Sequence, residues 1–318
     1  MVITHRPQSL AHALVLAGRQ GHVVTAGATE VEEVLRQGIL VAEALVSLEQ
    51  VRVMHGMSLA AGGGLRIGAA TTLDAVARDP HVRGAYPLLA ESCLDAGPPW
   101  LAVRGSIGGN LMQRPRCSYF RLRVPCFKNG GTGCPALAGG NRLLAILEGG
   151  PCHVVQRSDV ASALVALDAT IELASPRGIR LVPAGDFFVR PADRLDRETV
   201  CEAGEILSTI VLPADAAGGV QRWVKLRDDG LGFALASMAA VRRSDGEARL
   251  VLGGVSPRPY RVYTSIEEET TAGGLDEETI AGLAERALLD AAPMSQNAYK
   301  LDLAAGLLRD AIRALSVE

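Results

Sequence analysis

The stretch between residues 112 and 157 restricts the fold more than any other part of this 318-residue chain. Four cysteines stand in it at irregular spacings, Cys117-x8-Cys126-x7-Cys134-x17-Cys152, among closely spaced prolines and glycines. Proline and glycine interrupt helices and strands, so the stretch has few regular hydrogen bonds of its own. We therefore expect a further element to order it.

The spacing of these cysteines favours an iron–sulfur cluster over zinc. Zinc sites usually take cysteines in closely spaced pairs, which this chain lacks, whereas iron–sulfur cubanes accept wide and irregular spacing. We predict that Cys117, Cys126, Cys134 and Cys152 hold a [4Fe–4S] cluster in an insertion over 112–157. His153 is left outside this set, and buried, reduced, inert thiols are the alternative. Nearby basic residues are expected to offset the negative charge of the four thiolates; they are Arg114, Arg116, Arg121, Arg123 and Lys128.

The composition argues against several classes of partner. A net charge of −3, a pI of about 6.1 and 4% aromatic residues give no attraction to nucleic acid. No uncharged apolar stretch reaches the roughly 18 residues of a membrane span, so no membrane insertion is expected. The N-terminal sequence MVITHRPQSLAHAL lacks the pattern of a signal peptide. We expect a cytoplasmic protein, or a periplasmic one if a partner carries the export signal.

Helix and strand patterns alternate along the chain, which predicts a mixed α and β fold. Two strand–turn–helix units open the chain, at 23–37 and 65–79. The loose sequence DAAGG at 215–219 marks the predicted domain boundary. The other predicted elements are helices 86–96 and 158–167, a hairpin over 170–182, strands 220–226, 234–241 and 248–255, and helices 276–291 and 297–315.

Two glycine-containing turns are candidate ligand cradles. The turn from Ala26 to Glu30 lies where a strand gives way to a helix, so its backbone N–H groups and the helix N-terminus can bind a diphosphate. In the turn from Ser106 to Asn110, two adjacent glycines allow positive φ and leave the main chain open to a planar ring. Each turn taken alone can equally serve close packing, and this alternative stays open.

Taken together, these motifs resemble a known family over nearly the whole chain. The chain resembles the FAD-binding medium subunit of molybdenum hydroxylases, the xanthine dehydrogenase and aldehyde oxidoreductase family. The four cysteines narrow the resemblance to members with an extra [4Fe–4S] cluster, as in bacterial three-subunit aldehyde oxidoreductases. The matching segments are, in chain order, AGATEV, IGAATTL, GSIGGNL, SDVASALVALDA, GEIL and KLRD.

The resemblance implies an α+β fold and a set of FAD contacts. The fold would be a two-subdomain FAD-binding domain of the PCMH/vanillyl-alcohol-oxidase-like type over 1–216, with subdomains at about 1–60 and 61–216, followed by a smaller α/β domain over 217–318. The residues implied for the FAD diphosphate are Val24, Thr25, Ala26, Gly27, Ala28, Thr29, Glu30 and Val31. Those implied near the flavin are Trp100, Ser106, Ile107, Gly108, Gly109 and Asn110, with Asp159 on polar groups of the FAD and Leu207 and Lys225 completing the pocket. Many relatives have glycine where this chain has Ala28, so its methyl group must fit beside the diphosphate.

The resemblance also implies an electron-transfer function with partner subunits. Substrate would be oxidised at a large molybdenum-cofactor subunit, and electrons would reach this chain through a small [2Fe–2S] subunit and leave to an external acceptor. No nucleophile–base motif is evident, so no catalytic residue is assigned. Two other functions remain open: a self-contained flavin oxidoreductase, and a non-enzymatic scaffold that binds zinc through the four cysteines.

Overall fold

The computed structural model describes residues 2–228 and 232–316. The N-terminal subdomain holds a three-stranded parallel sheet of order β1–β3–β2. Its strands are β1 (Ile3–His5), β2 (His22–Thr25) and β3 (Ala44–Ser47), and its helices are α1 (Leu10–Ala17) and α2 (Val31–Arg36). The predicted strand–turn–helix unit is therefore present, with the turn between β2 and α2 at the carboxyl end of β2.

The second subdomain is built on a five-stranded antiparallel sheet of order β4–β5–β8–β6–β7. Its strands are β4 (Met57–Leu59), β5 (Leu65–Gly68), β6 (Thr170–Ser175), β7 (Gly178–Pro183) and β8 (Ile206–Leu212). Its helices are α3 (Leu73–Arg78), α4 (Pro80–Ala85), α5 (Pro87–Asp95), α6 (Pro99–Ala102), α7 (Ile107–Leu111), α8 (Ser118–Arg121), α9 (Asp159–Ala166) and α10 (Ala184–Phe187).

Local capping explains where several of these helices begin. Thr72 accepts a hydrogen bond from the Ala75 backbone N–H and Ser158 accepts one from that of Ala161, so each supplies a partner that the first helical turn lacks. The Asp79 carboxylate caps the start of α4 just where Pro80 interrupts the preceding helix.

The C-terminal domain packs a four-stranded antiparallel sheet, of order β12–β11–β10–β9, against three helices. The strands are β9 (Val220–Leu226), β10 (Ala236–Arg242), β11 (Ala248–Gly253) and β12 (Tyr260–Arg261), and the helices are α11 (Thr264–Ala272), α12 (Glu277–Arg286) and α13 (Tyr299–Ser316). The sequence did not predict α11. No helix in 2–228 and 232–316 has both the length and the apolar composition to cross a bilayer.

Strand β10 joins the two hydrophobic cores of the molecule through the alternation of its side chains. Ala239 and Val241 are buried in the core of the first two subdomains, whereas Met238 and Ala240 are buried in the core formed with the C-terminal helices. Successive strand residues point to opposite faces, so one strand contributes to both cores.

The stretch that follows Cys134 packs into the C-terminal domain. Ile146 and Leu147 are each 1% exposed within the C-terminal core, and both backbone N–H groups donate to the carbonyl oxygen of Val255. The buried amide of Asn297 donates to the carbonyls of Leu144 and Ala145. The C-terminal domain thus orders the second half of the cysteine-containing stretch.

Lys300 is fully buried at the start of α13, where its ammonium donates to the Gly254 carbonyl oxygen at 2.7 Å. Burial, together with the charges of Arg157 and Arg142, lowers the pKa of Lys300 to about 7. Between that pKa and the ordinary value of 10.5, the unfolded chain binds a proton that the folded chain does not.

The free energy of unfolding should therefore rise with pH over this window, relative to a Lys300→Met variant. Thermal unfolding of both proteins between pH 7 and 10 measures the effect. As the pH rises, the melting temperature of the wild type should rise relative to that of the variant. A difference in melting temperature that stays constant across this range would show that Lys300 keeps its ordinary pKa.

Candidate functional site

The two glycine-containing turns meet in one groove of about 890 Å³. The first turn lines it with every residue from Val24 to Val31, and the second with Ser106, Gly108 and Gly109. Leu207, at the start of β8, lines it as well. The groove is of the size that holds cofactors in proteins, and it contains most of the residues that the sequence indicates for FAD.

Gly27 is required for the contact between these turns. A Cβ atom built on Gly27 would lie 1.7 Å from the Arg104 carbonyl oxygen and 2.6 Å from the Arg104 carbonyl carbon. Because both are backbone atoms, a side chain at this position would push the two turns apart. The glycine therefore serves close approach of two main chains rather than an unusual φ.

The second turn differs from the sequence prediction in its backbone. Residues Ile107 to Leu111 form the short helix α7, capped by the Ser106 hydroxyl, which accepts from the Gly109 N–H at 3.1 Å. Gly108 and Gly109 do not have positive φ; a Cβ on Gly108 would lie 2.8 Å from the Cβ of Ala69. The expected freedom of the glycines was wrong, and the reason for Gly108 is packing against Ala69.

The positive φ lies in the first turn instead, at Ala28, with φ of 58°. A left-handed conformation costs a residue with a side chain roughly 1–2 kcal/mol. Since Ala28 also lines the groove, its methyl group stands in the wall where the diphosphate is expected.

Asp159 and Lys225 form a buried ion pair that does not line the groove. The Lys225 ammonium lies 2.7 Å from the Asp159 carboxylate and also donates to the Asp95 carbonyl oxygen at 2.7 Å. Burial raises the pKa of Asp159 to about 6, and the charge of Lys225 opposes this rise. The Ser158 hydroxyl, next in sequence to Asp159, donates to the side-chain oxygen of Asn110. Ser158 thus connects the start of α9 to the end of α7.

Three other predicted contacts, Trp100, Ile107 and Asn110, also lie outside the groove wall. Trp100 on α6 is 65% exposed, and Ile107 is fully buried in the hydrophobic core. The structure therefore brings the first turn, Ser106, Gly108, Gly109 and Leu207 to one surface. Trp100, Ile107, Asn110, Asp159 and Lys225 lie around it, and their contacts with FAD stay predictions.

The groove has a second wall that sequence patterns did not reveal. It is formed by Arg114 and by residues of the chain leading into β8, including Arg197, Cys201 and Gly204. Gly204 has φ of 81° and packs beside Gly18 at the end of α1. These residues are far in sequence from the first turn, and among the three residues leading into β8 only Gly204, in the segment GEIL, belongs to a motif found in the sequence.

The four cysteines of the stretch 112–157 converge on one small cavity. Cys117, Cys126, Cys134 and Cys152 all line it, together with aromatic rings and Lys128. None of the six cysteines of the chain forms a disulfide. Burial raises the pKa of the Cys152 thiol to about 11, and burial also raises that of Cys117.

The cysteine cavity does not resemble a site for one metal ion. Within 2–228 and 232–316, no three histidine, cysteine, aspartate or glutamate side chains stand close enough together to bind a single ion. Around a zinc ion four sulfur atoms share one centre, whereas in a cubane each thiolate binds its own iron, so the sulfur atoms stand further apart. Neither zinc nor the [4Fe–4S] cluster is shown at this cavity, and the cluster stays a prediction.

Most basic residues of this stretch have carboxylate partners. Arg121 binds the Glu30 carboxylate at 2.6 Å, and Arg116 also pairs with Glu30. Arg114 and Lys128 pair with Glu198 at 2.9 and 2.7 Å. The expectation that these four cations simply offset the charge of a cluster was incomplete, because each is already paired with a carboxylate outside the stretch.

Comparison with known proteins identifies the family. Residues 1–215 match the family described as the FAD binding domain in molybdopterin dehydrogenase. The chain belongs to this family. Its first two subdomains are thus the family's FAD-binding domain, and the chain is a member of an oxidoreductase family.

Individual relatives agree with this assignment. The aldehyde oxidoreductase FAD-binding subunit PaoB of Escherichia coli (strain K12) is 34% identical over 247 residues, covering 76% of this chain and 75% of PaoB. The carbon monoxide dehydrogenase medium chain of Hydrogenophaga pseudoflava is 25% identical over 263 residues, covering 81% of this chain and 76% of that one.

A solved structure extends the likeness over both domains. Reconstituted CO dehydrogenase from Oligotropha carboxidovorans contains a chain that matches with a TM-score of 0.76 at 23% identity, over 99% of this chain and 98% of that chain. The predicted mixed fold and the family resemblance are confirmed. The narrower subtype with an extra [4Fe–4S] cluster stays a prediction.

Proposed function

We propose that this chain is the electron-transfer subunit of a molybdenum-dependent oxidoreductase of the aldehyde oxidoreductase and xanthine dehydrogenase type. It would bind FAD in the groove and a [4Fe–4S] cluster in the cysteine cavity. The observation that carries the proposal is that one chain contains both the groove and the cysteine cavity, and that Glu198 pairs with Arg114 in the wall of the first and with Lys128 in the wall of the second.

The groove residues fit FAD. The first turn offers successive backbone N–H groups at the N-terminal end of α2, and the hydroxyl of Thr29 is within the same wall. Oriented backbone N–H groups are well suited to a diphosphate. Gly108 and Gly109 place the main chain of α7 in the groove wall, which favours a flat ring lying against it.

The cysteine cavity fits a [4Fe–4S] cluster better than zinc or an empty thiol site. Its donor set is four thiols from four separate points of an irregular loop, which is typical of cubane ligation. Four free cysteines drawn to one place in a loop rich in proline and glycine also need a physical reason, which inert thiols do not supply.

These two groups suit an electron relay, because FAD exchanges electrons singly or in pairs and a [4Fe–4S] cluster carries one. The role of the chain's own residues is to hold the groups, keep water from the cysteine cavity and fix their separation. No residue is assigned to substrate chemistry, which would belong to a large molybdenum-cofactor subunit. A small [2Fe–2S] subunit would supply electrons, and an external acceptor would remove them.

The isolated chain offers a direct test of this function. Reduced viologen added anaerobically should bleach the flavin band, and an added quinone or oxygen should restore it. Aldehydes or xanthine alone should leave the flavin oxidised, because this chain has no substrate centre of its own. Turnover of such a substrate by the isolated chain would show instead that it is a self-contained flavin oxidoreductase.

A further inference from the structure

Glu198 lies between the groove and the cysteine cavity without lining either. Its carboxylate oxygens are 2.7 Å from the Lys128 ammonium and 2.9 Å from Nε of Arg114. The side chain of Glu198 is 13% exposed and that of Lys128 only 2% exposed. One carboxylate therefore binds two cations in a largely water-excluded position.

Each of the two cations belongs to a different site. Arg114 lines the groove, and its guanidinium lies 5.3 Å from the ring centre of Phe120, which lines the cysteine cavity. Lys128 lines the cysteine cavity itself and also donates to the Leu195 carbonyl oxygen at 2.9 Å. Glu198 thus connects a wall residue of one site with a wall residue of the other.

Glu198 and Lys128 are buried, which makes their contact stiff, whereas the Arg114 side chain at the other end of the connection is 34% exposed. Removing the carboxylate would leave the Lys128 charge buried beside the cysteine cavity with only a carbonyl partner, and such unpaired buried charges are strongly destabilising. A displacement of Lys128 would therefore move Glu198 and, through their ion pair, Arg114.

We propose that Glu198 is a positioning residue that couples the two sites. A cluster in the cysteine cavity then strengthens FAD binding in the groove, and bound FAD strengthens binding of the cluster. This inference rests on the proposed function. Glu198, which lines neither site, would provide the energetic link between the groove and the cysteine cavity. Glu30 pairs with Arg116 and Arg121, but it lies in the groove wall, so Glu198 is the better position at which to test the link.

A double-mutant cycle on the full chain measures the coupling. The four proteins are the wild type, Glu198→Gln, Cys134→Ala, which removes a cluster ligand, and the double variant. The dissociation constant of FAD is measured by flavin fluorescence, independently of any enzyme activity. Cys134→Ala should raise it about tenfold in the wild-type background but less than about twofold in the Glu198→Gln background.

Glu172→Gln is the matched control. Glu172 is a carboxylate with similar exposure, 10%, whose partner Arg66 lies two strands away in the five-stranded sheet, and neither residue lines the groove or the cysteine cavity. In that background, Cys134→Ala should keep its full effect on the dissociation constant. An equal effect of Cys134→Ala in all three backgrounds would overturn the inference.

A second readout covers the case in which a cysteine variant fails to fold. Electron paramagnetic resonance of the reduced protein is recorded with and without FAD in the wild type and in Glu198→Gln. The iron–sulfur signal should change on FAD removal in the wild type only. A change in both proteins would refute the role of Glu198, whereas a wild type that binds FAD without iron would overturn the cluster proposal and this inference together.

Discussion

Replacing Gly27 by alanine is expected to abolish measurable FAD binding and to lower the free energy of unfolding by about 2–3 kcal/mol. The added Cβ atom would lie 1.7 Å from the Arg104 carbonyl oxygen, which no rotation of a side chain can relieve. The first turn must then move away from the chain before α7, and the groove between them changes shape. FAD titration by fluorescence and urea unfolding of Gly27→Ala measure the two effects.

Gly84→Ala provides the matched control for this variant. Gly84 lies in α4, and a Cβ atom built there meets no atom within 4 Å. Alanine is favoured over glycine in a helix by about 0.5–1 kcal/mol, so this variant should bind FAD normally and be slightly more stable. Normal FAD affinity in Gly27→Ala would contradict the groove as the FAD site.

Replacing Cys134 by alanine is expected to lower the iron content from about four atoms per chain to fewer than about one. The stretch 112–140 would lose the group that holds the four cysteines together, and its remaining backbone hydrogen bonds are local ones, such as those from Arg121 to Cys117 and from Gly131 to Cys126. Iron analysis and limited proteolysis of the anaerobically purified variant test this, and cleavage should fall within 112–140. FAD should be bound more weakly but not lost.

Cys93→Ala is the corresponding control. Cys93 is also free and fully buried, but it packs in the hydrophobic core and does not line the cysteine cavity. Its removal should leave the iron content unchanged and destabilise the chain by about 1 kcal/mol. Equal iron loss in both variants would indicate general unfolding rather than loss of a ligand.

The sequence predicts those elements whose signals are local. The succession of β2, turn and α2 follows from apolar spacing and turn residues. The apolar stripe of α13 likewise predicts that helix, and the structure buries its residues Ala304, Leu307, Leu308 and Ala311. Helix α11 was missed because its sequence, TSIEEETTA, is mostly polar and buries few residues. Its position is decided by packing on β11, which no local pattern reports.

The residues of the candidate site also divide into those with a local sequence signal and those without one. The first turn and the cysteines were recognisable because their residue types are chemically distinctive within short stretches. Glu198 was not, since an isolated glutamate in a loop gains its meaning only from Arg114 and Lys128, far away in sequence. The helical backbone of α7 was also missed, because paired glycines suggest positive φ until the Ser106 cap and the contact of Gly108 with Ala69 are known.

The second half of the cysteine-containing stretch shows a further limit of sequence patterns. The predicted boundary at residue 216 places this stretch in the first domain, yet Ile146 and Leu147 are buried in the C-terminal core. Two apolar residues in an irregular loop carry no periodicity that could assign them to a distant sheet.

The central claim is that one chain holds a flavin in the groove and an iron–sulfur cubane in the cysteine cavity. The most direct measurement is a visible spectrum of the anaerobically purified chain together with its FAD, iron and sulfide content. We expect flavin bands over a broad iron–sulfur absorption, with one FAD and about four iron and four sulfide per chain. A colourless protein that contains zinc, or a flavoprotein without iron, would contradict the claim.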